Sequence, residues 1–475
     1  MSPTPSKPAP CRPTSGARGS LALSPVGLPE LVRAVADQAG LAVLDLGPRF
    51  TVLTWAAPGA GPGEPGSLRW RVGDPGEPWP DQARRLLQRP GPQGTATGLP
   101  LAGGLVGFLG YEAGSSVERM PEPRGPRRLP DVALWRVDGA IVLDRVAGSL
   151  HVHGSADFQA LARARVQAAA ALPAAPPFQP RAGAPAPPPG MGAAYRAAVR
   201  RALDEIAQGN LYQVNLSWAL HGPATPDPVG AWLALRAANP ARHGALLRVG
   251  QAWVLSNSPE CYLEARPGPE GLSIRSLPIK GTVPGELGEA GRRHLLDSEK
   301  ERAELTMIVD LVRNDLGRVA RPGGVQAGPR RLRICGDLWH AEQAVVAQLR
   351  PGLDVLDAVA ASFPPGSVTG APKVSAMQHI GALETGPRGL YTGSVVALGD
   401  DGGAWLNVAI RTATLAGGQA EVHVGAGIVA DSEPEAEWQE TLAKGRVLAR
   451  YAFAPAPDEH TAPDEHAAPD EHAAK

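Results

Sequence analysis

The chain is poor in the residues that would mark an extracellular or membrane protein. Its only three cysteines, Cys11, Cys261 and Cys335, are scattered without CxxC spacing, which excludes a disulfide framework and a zinc knuckle. No apolar run reaches the roughly 18 residues that a membrane helix needs, and the N-terminus lacks the apolar core of a secretion signal. Net charge is missing too. With 46 Lys plus Arg against 47 Asp plus Glu the balance is -1, so no global field draws nucleic acid or an anionic membrane, and binding must be local. These absences point to a reducing, cytoplasmic setting. What is present is length: 475 residues, 43% of them hydrophobic, enough for two or three domains or for one large enzyme fold.

Organisation follows from composition and periodicity. Residues 1–20, rich in Pro, Ser and Arg and free of acid, read as a disordered tail. Leu28 to Ala39 carries apolar residues at helical spacing and Gly40 follows as a cap. Leu41–Leu46, Thr51–Trp55, Ser67–Val72, Val132–Val137 and Ala140–Leu143 read as strands of a mostly antiparallel sheet. Gly103 to Glu112 is glycine-dense without the strand-GxGxxG-helix context of a dinucleotide site, and reads as a close-packed strand and turn. Residues 166–190 form an Ala/Pro linker that separates an N-terminal half, 21–165, from a catalytic region, 191–454. There helices and strands mix without βαβ rhythm, which favours an α+β architecture. The Pro-Asp-Glu-His repeats of residues 455–475 read as a second disordered tail.

One stretch stands out, Ser276-Leu277-Pro278-Ile279-Lys280-Gly281-Thr282. It sets a lysine in an apolar run that ends on a glycine and a hydroxyl. A neutral amine at pH 7 requires about 4 kcal/mol of desolvation or nearby positive charge, and a dry pocket can supply it. The alternative is an ordinary lysine leaving a strand.

Carboxylates form the second pattern. Ser298-Glu299-Lys300-Glu301 is a capping box before a periodic run, which puts Glu301 and Glu304 on one helix face. Ser432-Glu433-Pro434-Glu435 starts another helix, on which Glu437, Glu440 and Lys444 fall at i, i+3 and i+7. A glutamate pair on each of two helices suits Mg2+, which takes few carboxylates and keeps waters or ligand oxygens. Two solvated faces with a Glu440–Lys444 salt bridge would suit the same spacing. Arg411, read as part of a strand Asn407–Thr414, is a candidate anion fork. So are the backbone amides of Gly425-Ala426-Gly427 and of the Ser367–Lys373 turn, Thr369 included.

Taken together, Pro278–Thr282, Lys300–Glu304 with Met307–Leu316, Thr369–Lys373, Tyr391-Thr392-Gly393, Ile410-Arg411-Thr412 and Gly425–Ser432 resemble, in order, the signature set of chorismate-utilising enzymes. The resemblance covers roughly residues 190 to 450 densely and the N-terminal region loosely. It implies two antiparallel sheets packed as a sandwich with helices outside, and Mg2+ held by Glu304 and Glu440 with Glu301 and Glu437 in support. It implies that Glu260 is the acid/base glutamate, that His340 lies near the leaving hydroxyl, and that Gly281, Thr282, Tyr391, Arg411, Gly425–Gly427 and Lys444 hold the substrate's carboxylates. Lysine at position 280 marks the aminodeoxychorismate synthase component I branch, whereas anthranilate, isochorismate and salicylate synthases usually carry alanine there. The implied chemistry is attack of Lys280 on the ring, replacement by ammonia from a glutamine amidotransferase subunit, and release of 4-amino-4-deoxychorismate. Two departures stand against the resemblance. The tryptophan-holding segments of relatives are replaced by Leu44-Asp45-Leu46 and Asn239-Pro240-Ala241-Arg242-His243, which argues against bound tryptophan. No arginine follows the PIKGT run.

Overall fold

The computed structural model describes residues 20–21, 27–88, 98–121, 124–335 and 338–455. Residues 1–19 and the Pro-Asp-Glu-His repeats lie outside the described residues, while Ser20 and Leu21 pair with His151 and Leu150.

Two antiparallel sheets, of eleven and ten strands among the described residues, form the centre. Each draws strands from both sides of the 166–190 tract: Ala42–Leu46 pairs with His243–Val249, and Gly104–Leu109 pairs with Ser394–Gly399. The sequence explains how such strands stay inside. Alternation sends Val43, Leu246 and Leu255 to one face, where they meet Val199, Trp232 and Leu448 of the outer helices. Ala42, Leu44, Ala245, Leu247 and Val254 point the other way and pack against Val106, Phe108, Val395 and Trp405 of the second sheet. Burial on both faces removes the polar alternation expected of a half-exposed strand. Each fully buried Leu contributes roughly 1.5–3 kcal/mol. A third core lies under the helices Trp79–Leu87, Glu299–Gly317 and Val355–Ser362. The architecture is α+β, helices outside a two-sheet sandwich.

Most expected strands appear within a residue or two, as Ala42–Leu46, Phe50–Thr54, Ser67–Trp70, Val132–Val137 and Gly139–Asp144. Two readings change. The first helix ends at Ala34, because tighter bonds, Val35 N to Val32 O, Ala36 N to Arg33 O and Gln38 N to Val35 O, wind the chain down before Gly40. The expected strand Asn407–Thr414 is two strands, Ala404–Asn407 and Thr412–Ala416. Arg411 lies between them at φ 49°, exposed, so strand alternation does not set its side chain.

Candidate active site between the sheets

Lys280 lies on Ile279–Pro284, the edge strand of the ten-stranded sheet, paired with Leu338–Leu349. Lys280 faces Ala341 and Thr282 faces His340, so the register shifts at Gly281, which takes φ 70°. That bulge needs glycine twice over. Its backbone is left-handed, and a Cβ there would come within 2.7 Å of Glu301 Oε2 and 2.9 Å of Leu295 Cδ2. In this structure the group that closes on Gly281 is therefore the Glu301 carboxylate.

The lysine residue keeps some contact with solvent, but its ammonium is crowded by protein, and desolvation is the first cause that lowers its pKa. Glu304, Glu260 and Glu301 pull the other way and Lys444 adds to the lowering. The net direction is toward the neutral amine. Beside it, Glu260 is 4% exposed and its pKa is pushed up to about 7 by burial, against a hydrogen bond from Ser367, the charge of Lys280 and the backbone of Ile279. Ser258 braces its loop: the hydroxyl donates to Val408 O at 2.6 Å and accepts from Glu260 N at 3.2 Å. His340 is buried, and desolvation first, then Arg411, lowers its pKa to about 4, so it is neutral at pH 7. Its Nδ1 meets Thr282 Oγ1 at 3.0 Å, and its Nε2 has no hydrogen-bond partner among the described residues.

The opposite wall belongs to the other sheet, where Gln419–Ile428 pairs with Gln213–Pro223, Gly425 against Ser217 and Gly427 against Asn215. A Cβ on Gly425 would meet Tyr391 Oη at 2.8 Å and Asn215 Oδ1 at 2.9 Å. One on Gly427 would meet Gln213 Nε2 at 2.5 Å and lie 3.8 Å from Lys280 Nζ. Two bare backbone positions thus let Tyr391, Asn215, Gln213 and Lys280 converge. Ala426, by strand alternation, packs its methyl in the helix-side core, which leaves only its backbone to serve the site. Tyr391 is buried and stacked on His423 at 5.5 Å and 15°.

The glutamate helices behave as their caps predict at one end and differently at the other. Ser298 accepts from Glu301 N at 3.3 Å and starts Glu299–Gly317. In Pro434–Ala452 the cap position is Glu433, without a side-chain cap, because Ser432 is used otherwise: its hydroxyl donates to Glu437 Oε1 at 2.6 Å and accepts from Val429 N. Lys444 donates to Glu440 Oε1 at 2.6 Å and to Gly425 O at 3.1 Å. In the Ser367–Lys373 turn the Lys373 ammonium is buried and bonded to Asp315 and to Ser362 O. Thr369 is buried, donating to Pro365 O at 2.8 Å.

Among the described residues no three His, Cys, Asp or Glu are gathered as a metal cage. The donor set still fits a hard cation. Glu301 and Glu304 bring their carboxylates to Lys280, and Glu440 and Glu437 stand on the other helix. A cation that takes one or two carboxylates and completes its shell with water and ligand oxygens, as Mg2+ does, would suit such an open set.

Four residues were not legible as site residues. Gln213, Asn215 and Ser217 form a period-2 polar stripe in an otherwise apolar strand, a signal that could have found them. Arg388 carries no such local signal. A cavity of about 460 Å3 opens on the same sheet face beyond Tyr391, lined by Arg124, Ser217, His221, Glu384, Glu421 and His423 among others.

A family model described as "chorismate binding enzyme" matches residues 71–450. The chain is 37% identical over 379 residues to anthranilate synthase component 1 of Streptomyces coelicolor, covering 74% of this chain and 72% of that protein. It is 36% identical over 367 residues to 2-amino-4-deoxychorismate synthase of Streptomyces globisporus, covering 74% and 72%. A match of 45% identity to an anthranilate synthase component 1 of Haloarcula marismortui runs over 248 residues, 51% of this chain and 50% of that protein, so there the chain spans half the relative's length. The crystal structure of anthranilate synthase component I from Streptococcus pneumoniae superposes with a TM-score of 0.73 at 29% identity, covering 85% of this chain and 92% of that one.

Proposed function

The chain belongs to the chorismate-binding enzyme family, and from that premise we propose that it aminates chorismate at C4 through a covalent adduct on Lys280. The observation that carries the reading is the pairing of a lysine whose ammonium is desolvated toward neutrality with a buried carboxyl near pKa 7. An amine with a free lone pair is a nucleophile, and a carboxyl still protonated near neutral pH is a proton donor.

The step balances as follows. The Lys280 lone pair forms a bond to C2, both ring double bonds shift by one position toward C4, and the C4–O bond breaks as Glu260 gives its proton to the departing hydroxyl, which leaves as water. Ammonia then bonds to C4, both double bonds shift back, and the C2–N bond breaks to return the amine. General acid assistance of this kind is typically worth roughly 100- to 10,000-fold. When bound, Mg2+ held by Glu304 and Glu440, with Glu301 and Glu437 in support, would neutralise the ring carboxylate. Lys444, Arg411, Thr282 and the Gly425–Gly427 backbone orient the substrate's acid groups, and Tyr391 closes the wall. Neutral His340, held through Thr282, stands beside the C4 hydroxyl. Ammonia comes from a glutamine amidotransferase partner.

The names of the relatives favour a second reading, amination at C2 to give anthranilate or its 2-amino precursor. Lys280 speaks against it, since an amine fixed at C2 occupies the carbon that ammonia would need. Intact-protein mass after incubation with chorismate and Mg2+, without ammonia, tests the choice. The proposal expects an increment of chorismate less one water, mapping to the peptide that contains Lys280. An unmodified enzyme that forms a 2-amino product once ammonia is added overturns it.

A further inference from the structure

We propose that Arg388 is the positioning residue of this site, the joint that sets Tyr391, the Gln213–Pro223 strand and the Val368–Thr369 turn at one geometry opposite Lys280. The inference rests on the chorismate reading of the site but not on which carbon is aminated.

Arg388 is 1% exposed and every N–H of its guanidinium has an acceptor. Nε donates to Glu384 Oε2 at 2.9 Å and Nη2 to Glu384 Oε1 at 2.6 Å. Nη2 also donates to Asn215 O at 2.7 Å. Nη1 donates to Thr392 Oγ1 at 3.1 Å and to Val368 O at 3.3 Å. A guanidinium has five N–H groups in one rigid plane, and all are used. Its Cζ lies 4.7 Å from the Tyr111 ring centroid and 5.8 Å from the Tyr391 ring centroid, so Tyr391 is held between Arg388 and His423. The backbone N–H of Arg388 donates to Glu112 Oε1 at 2.7 Å. Glu384 in turn accepts from Ser217 N at 2.7 Å and Ser217 Oγ at 3.0 Å. Although burial alone would lower it, the Glu384 carboxylate holds the guanidinium pKa above its usual value, so the charge stays on.

Each partner leads to the site. Asn215, whose carbonyl is fixed by Nη2, aims its side-chain oxygen at Gly425. Asn215 N donates to Thr369 O at 2.9 Å, which ties the turn to the strand. Thr392 sits at φ 59° directly after Tyr391, a left-handed position that the bond to Arg388 helps to hold. A lysine could satisfy at most three of these acceptors. No other side chain type covers the set.

The experiment compares wild type with Arg388→Lys and Glu384→Gln, following chorismate consumption with ammonium and Mg2+, whatever the product, alongside thermal unfolding. Because the wall acts on bound substrate and on the transition state alike, its loosening removes uniform binding. The expected result for both variants is a chorismate KM raised about tenfold or more with kcat within about threefold. Adding Tyr391→Phe to Arg388→Lys should raise KM no further. If both variants keep the wild-type KM per folded molecule, or if Tyr391→Phe adds its full separate effect, the positioning role is overturned and Arg388 is a brace of the fold alone. If Arg388→Lys does not fold, Glu384→Gln decides by the same criteria. A wild type that consumes no chorismate sinks the chorismate reading instead, which keeps the two failures apart.

Discussion

Lys280 and Gly427 meet across the two sheets, with Lys280 Nζ 3.8 Å from where a side chain on Gly427 would begin. The Lys280 amine of one sheet is thus packed against bare backbone of the other. A Cβ on Gly427 would also press within 2.5 Å of Gln213 Nε2, the end of a flexible side chain. Gly427→Ala should therefore fold, with stability changed by about 1 kcal/mol or less, while kcat/KM for chorismate falls at least about tenfold. Chemical denaturation beside steady-state kinetics checks both halves. A stable variant with wild-type kinetics would show that nothing passes between Lys280 and Gly427.

Glu260 gives a pH signature whose sign is fixed. Its folded pKa is raised from the ordinary 4.5 to about 7, so the folded state holds the proton more tightly than the unfolded chain. The stabilisation is fully present below about pH 4.5 and is lost as pH rises through about 7. At most roughly 3 kcal/mol is involved. Glu260→Gln, which stays neutral, should match the wild type near pH 5 and gain on it by pH 8, read as the difference in unfolding midpoint. Equal pH profiles would mean that Glu260 does not titrate near neutrality.

Lys444 separates stability from function. Its salt bridge with Glu440 is half exposed on both sides, a setting worth a few tenths of a kcal/mol. Lys444→Met should leave the unfolding midpoint unchanged and raise the chorismate KM several-fold. In the same assay Glu304→Gln should raise the Mg2+ concentration for half-maximal rate at least about tenfold, and chelation of Mg2+ should stop the wild type. Titration of Mg2+ against rate measures it.

Asp45 belongs to the Leu44-Asp45-Leu46 segment, whose departure from the resemblance argues against bound tryptophan. It is fully buried and bonded to Arg236 Nε at 2.8 Å, Arg236 Nη2 at 2.9 Å, Arg145 at 3.1 Å and Thr51 at 2.7 Å. His243 stacks on Trp405 beside it and accepts from its indole at 3.0 Å. Asp45→Asn strands two arginines and should cost about 3 kcal/mol or more in urea unfolding. Tryptophan should leave the wild-type midpoint unmoved.

Strand positions were readable because their apolar runs end at Gly and Pro breaks, and the glutamate helices because Ser298 and Pro434 mark their starts. Lys280 was readable from its apolar neighbours. Arg411 was not, since the left-handed break before Thr412 leaves no trace in an alternating pattern. Arg388 was invisible for a different reason. Glu384 is only four residues away, but Tyr111, Asn215 and Val368 come from distant parts of the chain and meet Arg388 only in the folded structure. The carboxylates of Glu301 and Glu304 were expected on one face, but only the bulge at Gly281 explains how Glu301 reaches the backbone beside Lys280.

The identity of the product tests the central claim most directly. Purified protein is given chorismate, Mg2+ and a high concentration of ammonium at mildly alkaline pH, and the products are separated and weighed beside those of Lys280→Ala. The account predicts 4-amino-4-deoxychorismate from the wild type and none from Lys280→Ala. Anthranilate or isochorismate from the wild type would contradict it, because Lys280 would then not be the nucleophile.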